Sequence, residues 1–219
     1  MEQTLRDLTE NKSIVLVGNS VEMLQHDLAD YIESFDTVVR FGNGVPDYTN
    51  SDSIGERTDI WITGFLRYKK RNKFPKDCAV LFNRSRMHLG DDADERHDIR
   101  FKYVDMFSDK ELVSIFNLVG AENHVAAGAR PSAGFIAIQY FLQKTNFSTL
   151  TLVGFDFFSK ALPIVAGANN PYSWHIPVST VNSNPHSPKE KEIVLDLYDR
   201  GIIDWKILTD LNEGYLDLS

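Results

Sequence analysis

The sequence predicts a single-domain, Rossmann-like α/β fold with a mostly parallel, doubly wound sheet, and three observations predict it. Short apolar runs rich in β-branched residues recur along the chain. They alternate with segments of helical periodicity. The first run stops at Gly18, just where a helix would open. The chain has 219 residues, enough for one sizeable α/β core and short for two, so residues 1–219 are read as one domain.

Ser13 to Gly18 is the first of these runs and reads as a strand buried on both faces. Val21 to Ser34 follows with Met23, Leu24, Leu28, Tyr31 and Ile32 at helical spacing. Asp36 to Arg40, Asp59 to Thr63 and Cys78 to Phe82 read as further strands, separated by polar or Gly/Pro-containing connections. Met87 to Arg100 is dense in charge and reads as an exposed loop. Ser108 to Leu118 reads as a helix, with Ser108 as N-cap and Glu111 completing a capping box. Pro131 to Gln143 is a strongly apolar helix with proline in its first turn, and Thr149 to Val153 is another buried strand ended by Gly154. After Asp156 periodicity is lost for about thirty residues, roughly 157–187, a length and composition that suit a lid over an active site. A helix from about Pro188 to Arg200 and a strand at Trp205 to Leu208 close the fold.

The formal net charge of −8 opposes binding to nucleic acid or an anionic membrane, and no basic run offsets it. Cys78 is the single cysteine, so no intrachain disulfide can form and a reducing cytoplasm is the expected location. Neither a signal segment nor a transmembrane run is expected, so work at an inner membrane would be peripheral.

Three features carry chemistry. Gly18-Asn19-Ser20 lies where a strand gives way to a helix, and its backbone N–H groups suit an anion, although a plain strand–helix turn looks the same in sequence. One glycine there is too few for a dinucleotide fingerprint. Arg130-Pro131-Ser132-Ala133-Gly134 opens a helix with small residues and outward donors, suited to a carboxylate or phosphate, or else it only caps and packs. The long loop holds Tyr172, His175 and His186, which either move protons and stabilise a leaving phosphate or are simply solvated. Asp156 ends a strand, as a ligand contact or a cap. Asp92-Ala93-Asp94 matches a metal-binding D-x-D pattern but sits in the charged loop, so no metal is expected.

In order and spacing these motifs resemble the sialylmotifs of the family 29 sialyltransferases. Gly18-Asn19-Ser20 with Phe35 to Pro46 is similar to the large motif, and Pro131 to Gly134 with Leu152 to Asp156 to the small one. The Gly-Phe-Asp-Phe-Phe stretch also resembles the bacterial sialyltransferases of family 42. His175 and His186 fall in the order of the third and very small motifs. The resemblance spans about Ser13 to Leu208.

It implies a GT-A-variant, sialyltransferase-like fold and an inverting transfer of sialic acid or the related acidic sugar Kdo from a CMP-activated donor. The acceptor would be a carbohydrate hydroxyl of a glycan, capsule or lipopolysaccharide, and no cofactor is implied. Gly18, Asn19, Ser20 and Asn43 would hold the cytidine nucleotide. Ser132, Ala133 and Gly134 would hold nucleotide and sugar carboxylate, with Asp156 nearby. Tyr172 and His175 would face the leaving phosphate, and His186 would be the general base. Three departures stand out. The family disulfide is impossible here, Arg40 to Asn43 is one residue longer than the usual spacing, and the acid expected five residues after His186 is replaced by Lys191, flanked by Glu190 and Glu192. Two other classes compete: a metal-dependent pyrophosphokinase-type nucleotide transferase, and a non-catalytic nucleotide-binding module.

Overall fold

A computed structural model describes residues 5–20, 23, 25–41, 51–63, 78–82, 103–106, 108–120, 131–157 and 189–208. Its elements run α1 (Leu5–Thr9), β1 (Ser13–Val17), α2 (Ala29–Glu33), β2 (Thr37–Phe41), α3 (Ser51–Ile54), β3 (Ile60–Thr63) and β4 (Ala79–Phe82). They continue with β5 (Tyr103–Met106), α4 (Asp109–Leu118), α5 (Ala133–Lys144), β6 (Thr149–Val153), α6 (Lys189–Asp199) and β7 (Asp204–Lys206). The strands form one seven-stranded sheet in the order β5-β4-β3-β2-β1-β6-β7. Every neighbouring pair is parallel.

Alternate side chains of β1, β2 and β6 enter different layers, as the two-residue pleat requires. Ile14 and Leu16 of β1, Val39 and Phe41 of β2, and Leu150 and Leu152 of β6 face one layer, shared with Leu112 and Ile115 of α4, Phe135 and Ile138 of α5 and Val194 of α6. Val15, Val17, Val38 and Val153 face the other, with Met23, Leu28, Ile32 and Ile54. The two layers explain why the strands read as unbroken apolar runs, and they make the sheet doubly wound.

Local signals place the helices facing the first layer. Ser108 and Glu111 form the predicted capping box at the start of α4. At the start of α5 the Ser132 hydroxyl accepts the Phe135 N–H at 3.1 Å. Lys144 near the end of α5 pairs with Glu111 of α4 at 2.9 Å. Burial pushes the Glu111 carboxyl up, but Lys144 and Ser108 outweigh it and hold it at about 2.

The second layer is tied down by a polar knot between β2 and β3. Arg40 is fully buried; its Nε donates to the Arg57 carbonyl at 2.9 Å and Nη2 to the Ile54 carbonyl at 2.7 Å. Burial lowers it to about 10, which leaves it charged at neutral pH. Arg57 pairs with Asp59 at 3.0 Å and donates to the Glu33 and Phe35 carbonyls. Asp59 also accepts the Val38 N–H at 2.8 Å, and the Glu33 carboxylate accepts the N–H groups of Glu56 and Arg57.

The structure shortens one expected helix. The periodicity from Val21 to Ser34 predicts about four turns, whereas α2 starts at Ala29. Before Leu28 the Met23 N–H donates to the Ser20 carbonyl and the His26 N–H to the Met23 carbonyl, bonds of three-residue span. The Leu28 N–H then donates to Ser53 at 2.9 Å instead of to its own helix. The apolar spacing still puts Met23, Leu28 and Ile32 into the core. Three short elements, α1, α3 and β5, are additions to the sequence reading; none exceeds five residues, too short for periodicity to register.

Candidate active site

Strand order reverses between β1 and β6, so the carboxyl ends of these strands border the crevice where open parallel sheets bind ligands. Gly18-Asn19-Ser20 leaves β1 there, and Gly154-Phe155-Asp156 leaves β6 beside it. The two turns touch through their backbones. Gly18 N–H donates to the Val153 carbonyl at 2.7 Å and Ser20 N–H to the Gly154 carbonyl at 3.1 Å. A Cβ on Gly18 would overlap that Gly154 carbonyl, and Gly154 itself has φ +69 with the Met23 sulfur where its own Cβ would be. Glycine is therefore required at both positions.

Phe155 connects this crossing to the second motif. Its ring lies edge-on to Phe41, with centroids 5.8 Å apart, and a Cβ added to Gly134 would come within 2.6 Å of its Cε1. A Cβ on Gly18 would meet the same ring at 3.0 Å. One aromatic side chain thus packs against both the β1 turn and the amino end of α5. The next aromatic, Phe157, has φ 49, a left-handed conformation that is costly for a bulky residue, and packs edge-on against Trp205 at 5.2 Å.

The structure gathers Gly18, Asn19, Ser20, Ser132, Ala133, Gly134 and Asp156 around this crevice. Ser20 is buried, and Asn19 carries a buried Oδ1 with no hydrogen-bond partner. Asp156 is half-buried. By helix geometry the Ala133 and Gly134 amides, in the first turn of α5, have no carbonyl of their own helix to bond. These are neutral donors at a helix amino end, suited to an anion. Asn43, Tyr172, His175, His186, the lid and Asp92-Ala93-Asp94 lie outside the described residues. Among the described residues no group of three or more His, Cys, Asp or Glu side chains could hold a metal, and no helix is long and apolar enough to cross a membrane.

Ser132 is more tightly held than its sequence context suggests. Its N–H donates to one oxygen of Glu190 at 2.6 Å and its hydroxyl to the other, also at 2.6 Å. Glu190 is only 2% exposed in the first turn of α6, whereas its neighbours Lys191 and Glu192 are exposed. Burial raises its carboxyl to about 7 despite both Ser132 donors. Glu190 lies four residues after His186, one short of the spacing at which the resemblance implies an acid. In the sequence Phe155 is read only as part of the motif after β6 and Glu190 only as an acid flanking Lys191, neither as a site residue. The acidic first turn of α6 reads as an ordinary helix start, and only the fold shows which of its acids turns inward.

No family model matches the sequence, and no curated protein matches it. Solved structures do. A mammalian sialyltransferase aligns with a TM-score of 0.60 and 14% identity, over 89% of this chain and 68% of its own. A mammalian sialyltransferase in complex with Gal-beta-1-3GalNAc-ortho-nitrophenol gives 0.58 and 12%, over 88% and 68%. The sialyltransferase CST-II in complex with CMP gives 0.55 and 14%, over 94% and 86%.

Two consequences can be measured. Gly134→Ala must displace the Phe155 ring and should lower unfolding free energy by about 1–3 kcal/mol in urea titration; an unchanged midpoint would show that the ring is not fixed there. Glu190 has a folded pKa above its unfolded one, so its stabilising contribution is complete below the unfolded value and is lost as pH rises through about 7. Between pH 4 and 8 the wild type should lose on the order of 3 kcal/mol relative to Glu190→Gln. Parallel stability profiles for the two proteins would contradict the assignment. The α/β fold of this chain, with its parallel sheet and flanking helices, is the fold of the sialyltransferases it aligns with.

Proposed function

We propose that the protein is an inverting glycosyltransferase that moves a 2-keto acid sugar, sialic acid or Kdo, from its CMP-activated donor to a carbohydrate hydroxyl. The observation that carries this reading is the meeting of the Gly18-Asn19-Ser20 turn and the Ser132-Ala133-Gly134 helix start at one crevice, around Phe155. Two motifs more than a hundred residues apart in the chain converge where parallel sheets bind ligands. Similarity in fold to sialyltransferases, including one solved in complex with CMP, supports the same reading.

In this reading Asn19 and Asn43 hold the cytidine nucleotide, and the α5 amino end faces nucleotide phosphate and sugar carboxylate. His186 takes the proton from the acceptor hydroxyl as its oxygen bonds to the anomeric carbon, from the face opposite CMP. The bond from that carbon to the phosphate oxygen breaks through an oxocarbenium-like transition state, and CMP leaves with the electron pair. Tyr172 and His175 donate to the departing phosphate, so the charge developing there meets positioned donors without a metal.

The direct test is calorimetric titration with CMP in EDTA, with UDP and ATP as controls. Selective CMP binding is the expected result; binding of a triphosphate only after Mg²⁺ is restored would favour a pyrophosphokinase-type enzyme instead. His186→Ala should lower transfer from CMP-sialic acid or CMP-Kdo by about 10²–10⁴-fold or more while leaving CMP affinity within about threefold. Full activity in that variant would remove His186 as the base.

A further inference from the structure

The Ser132–Glu190 pair has a property that holding a helix start does not require. Ser132 Oγ already accepts the Phe135 N–H at 3.1 Å, and its single proton points to Glu190 Oε2 at 2.6 Å. With Glu190 ionised, that hydroxyl is committed to the carboxylate. Adding a proton to Oε2 reverses the bond: Glu190 donates, Oγ accepts from both Glu190 and Phe135, and the Ser132 O–H is released to another acceptor. The Ser132 N–H can stay on Oε1 at 2.6 Å in either state, so the helix cap is preserved while the donor is freed.

The geometry points to Glu190 as a positioning residue that couples anion binding at the amino end of α5 to uptake of one proton from solvent. It rests on the reading of that helix end as the nucleotide and carboxylate site. An anion arriving there gains the Ser132 hydroxyl as a donor and, being of like charge, disfavours the ionised carboxylate. Proton and ligand therefore favour each other.

Among the described residues no charged neighbour acts on the Glu190 carboxyl. Lys189, Lys191 and Glu192, its charged neighbours on α6, are all exposed. The Lys189 ammonium lies beside Gly120 after α4, and the last turn of α4, Ile115 to Leu118, has no titratable side chain. The first two turns of α5, Ala133 to Gln139, have none either. Burial and the two Ser132 donors are what act on the carboxyl, and they leave it near 7, where a small push changes its protonation.

The test is CMP titration of wild type, Glu190→Gln and Ser132→Ala between pH 6 and 8, in buffers of different ionisation enthalpy. Glutamine reproduces the protonated pattern, since its carbonyl can accept the Ser132 N–H and its amide can donate to Oγ. Titration of the CMP phosphate itself is common to all three proteins and cancels in the comparison. Wild-type affinity should fall about five- to tenfold more than that of Glu190→Gln from pH 6 to 8, with a matching excess of proton uptake. Ser132→Ala should lose this excess as well, which keeps the test decisive if Glu190→Gln folds poorly. Equal pH dependence and equal proton uptake in wild type and both variants would overturn the proposal while leaving the CMP reading intact. Absence of CMP binding by the wild type at every pH would overturn both.

Discussion

At the carboxyl edge of the sheet two backbones approach so closely that neither can carry a side chain at the crossing. Gly18 and Gly154 meet there, with the Gly154 carbonyl where a Cβ of Gly18 would be and Met23 filling the space beside Gly154. Because β1 and β6 are the strands at which the order reverses, this contact sets the floor of the crevice. The Phe155 ring then occupies the room left free by Gly134, so the amino end of α5 approaches the same point. Three glycines and one phenylalanine thus set the distance between two donor-rich turns.

Polar groups are placed with equal economy. The knot of Arg40, Arg57, Asp59 and Glu33 pairs most of its charged atoms beside the second apolar layer and fixes α2 and α3 against β2. Near the crevice, among the described residues, the buried ionisable group is Glu190, bound by neutral donors of one serine. An acid held this way sits close to its protonation midpoint at neutral pH, whereas one facing an arginine would remain ionised. The scaffold and the site therefore use buried charge differently.

The strands other than β5 and the helices α4 and α5 were legible because each has a local cause: β-branched runs covered on both faces, a capping box at Ser108, and a serine cap at Ser132. The glycine turn and the helix start were also recognised as ligand-suited, and the structure brings them together. The start of the helix expected over Val21 to Ser34 was not legible, since Met23 and Leu28 reach the core ahead of α2 at a spacing that a helix would also give. Glu190 could be read only as one of two acids flanking Lys191, because helix register cannot be read from an acid-rich first turn. Phe155 belongs to a recognised motif stretch, but its packing role could not be read there. Its importance arises from Gly134, twenty-one positions earlier, and only tertiary packing joins the two.

The central claim is that these two turns form one anion-binding crevice, and residue-resolved NMR during titration with CMP tests it most directly. The account predicts amide shift changes concentrated at Asn19, Ser20 and Ser132 to Gly134, saturating together with one dissociation constant. Changes confined to residues remote from the β1–β6 edge, or two groups of signals saturating at different CMP concentrations, would contradict it.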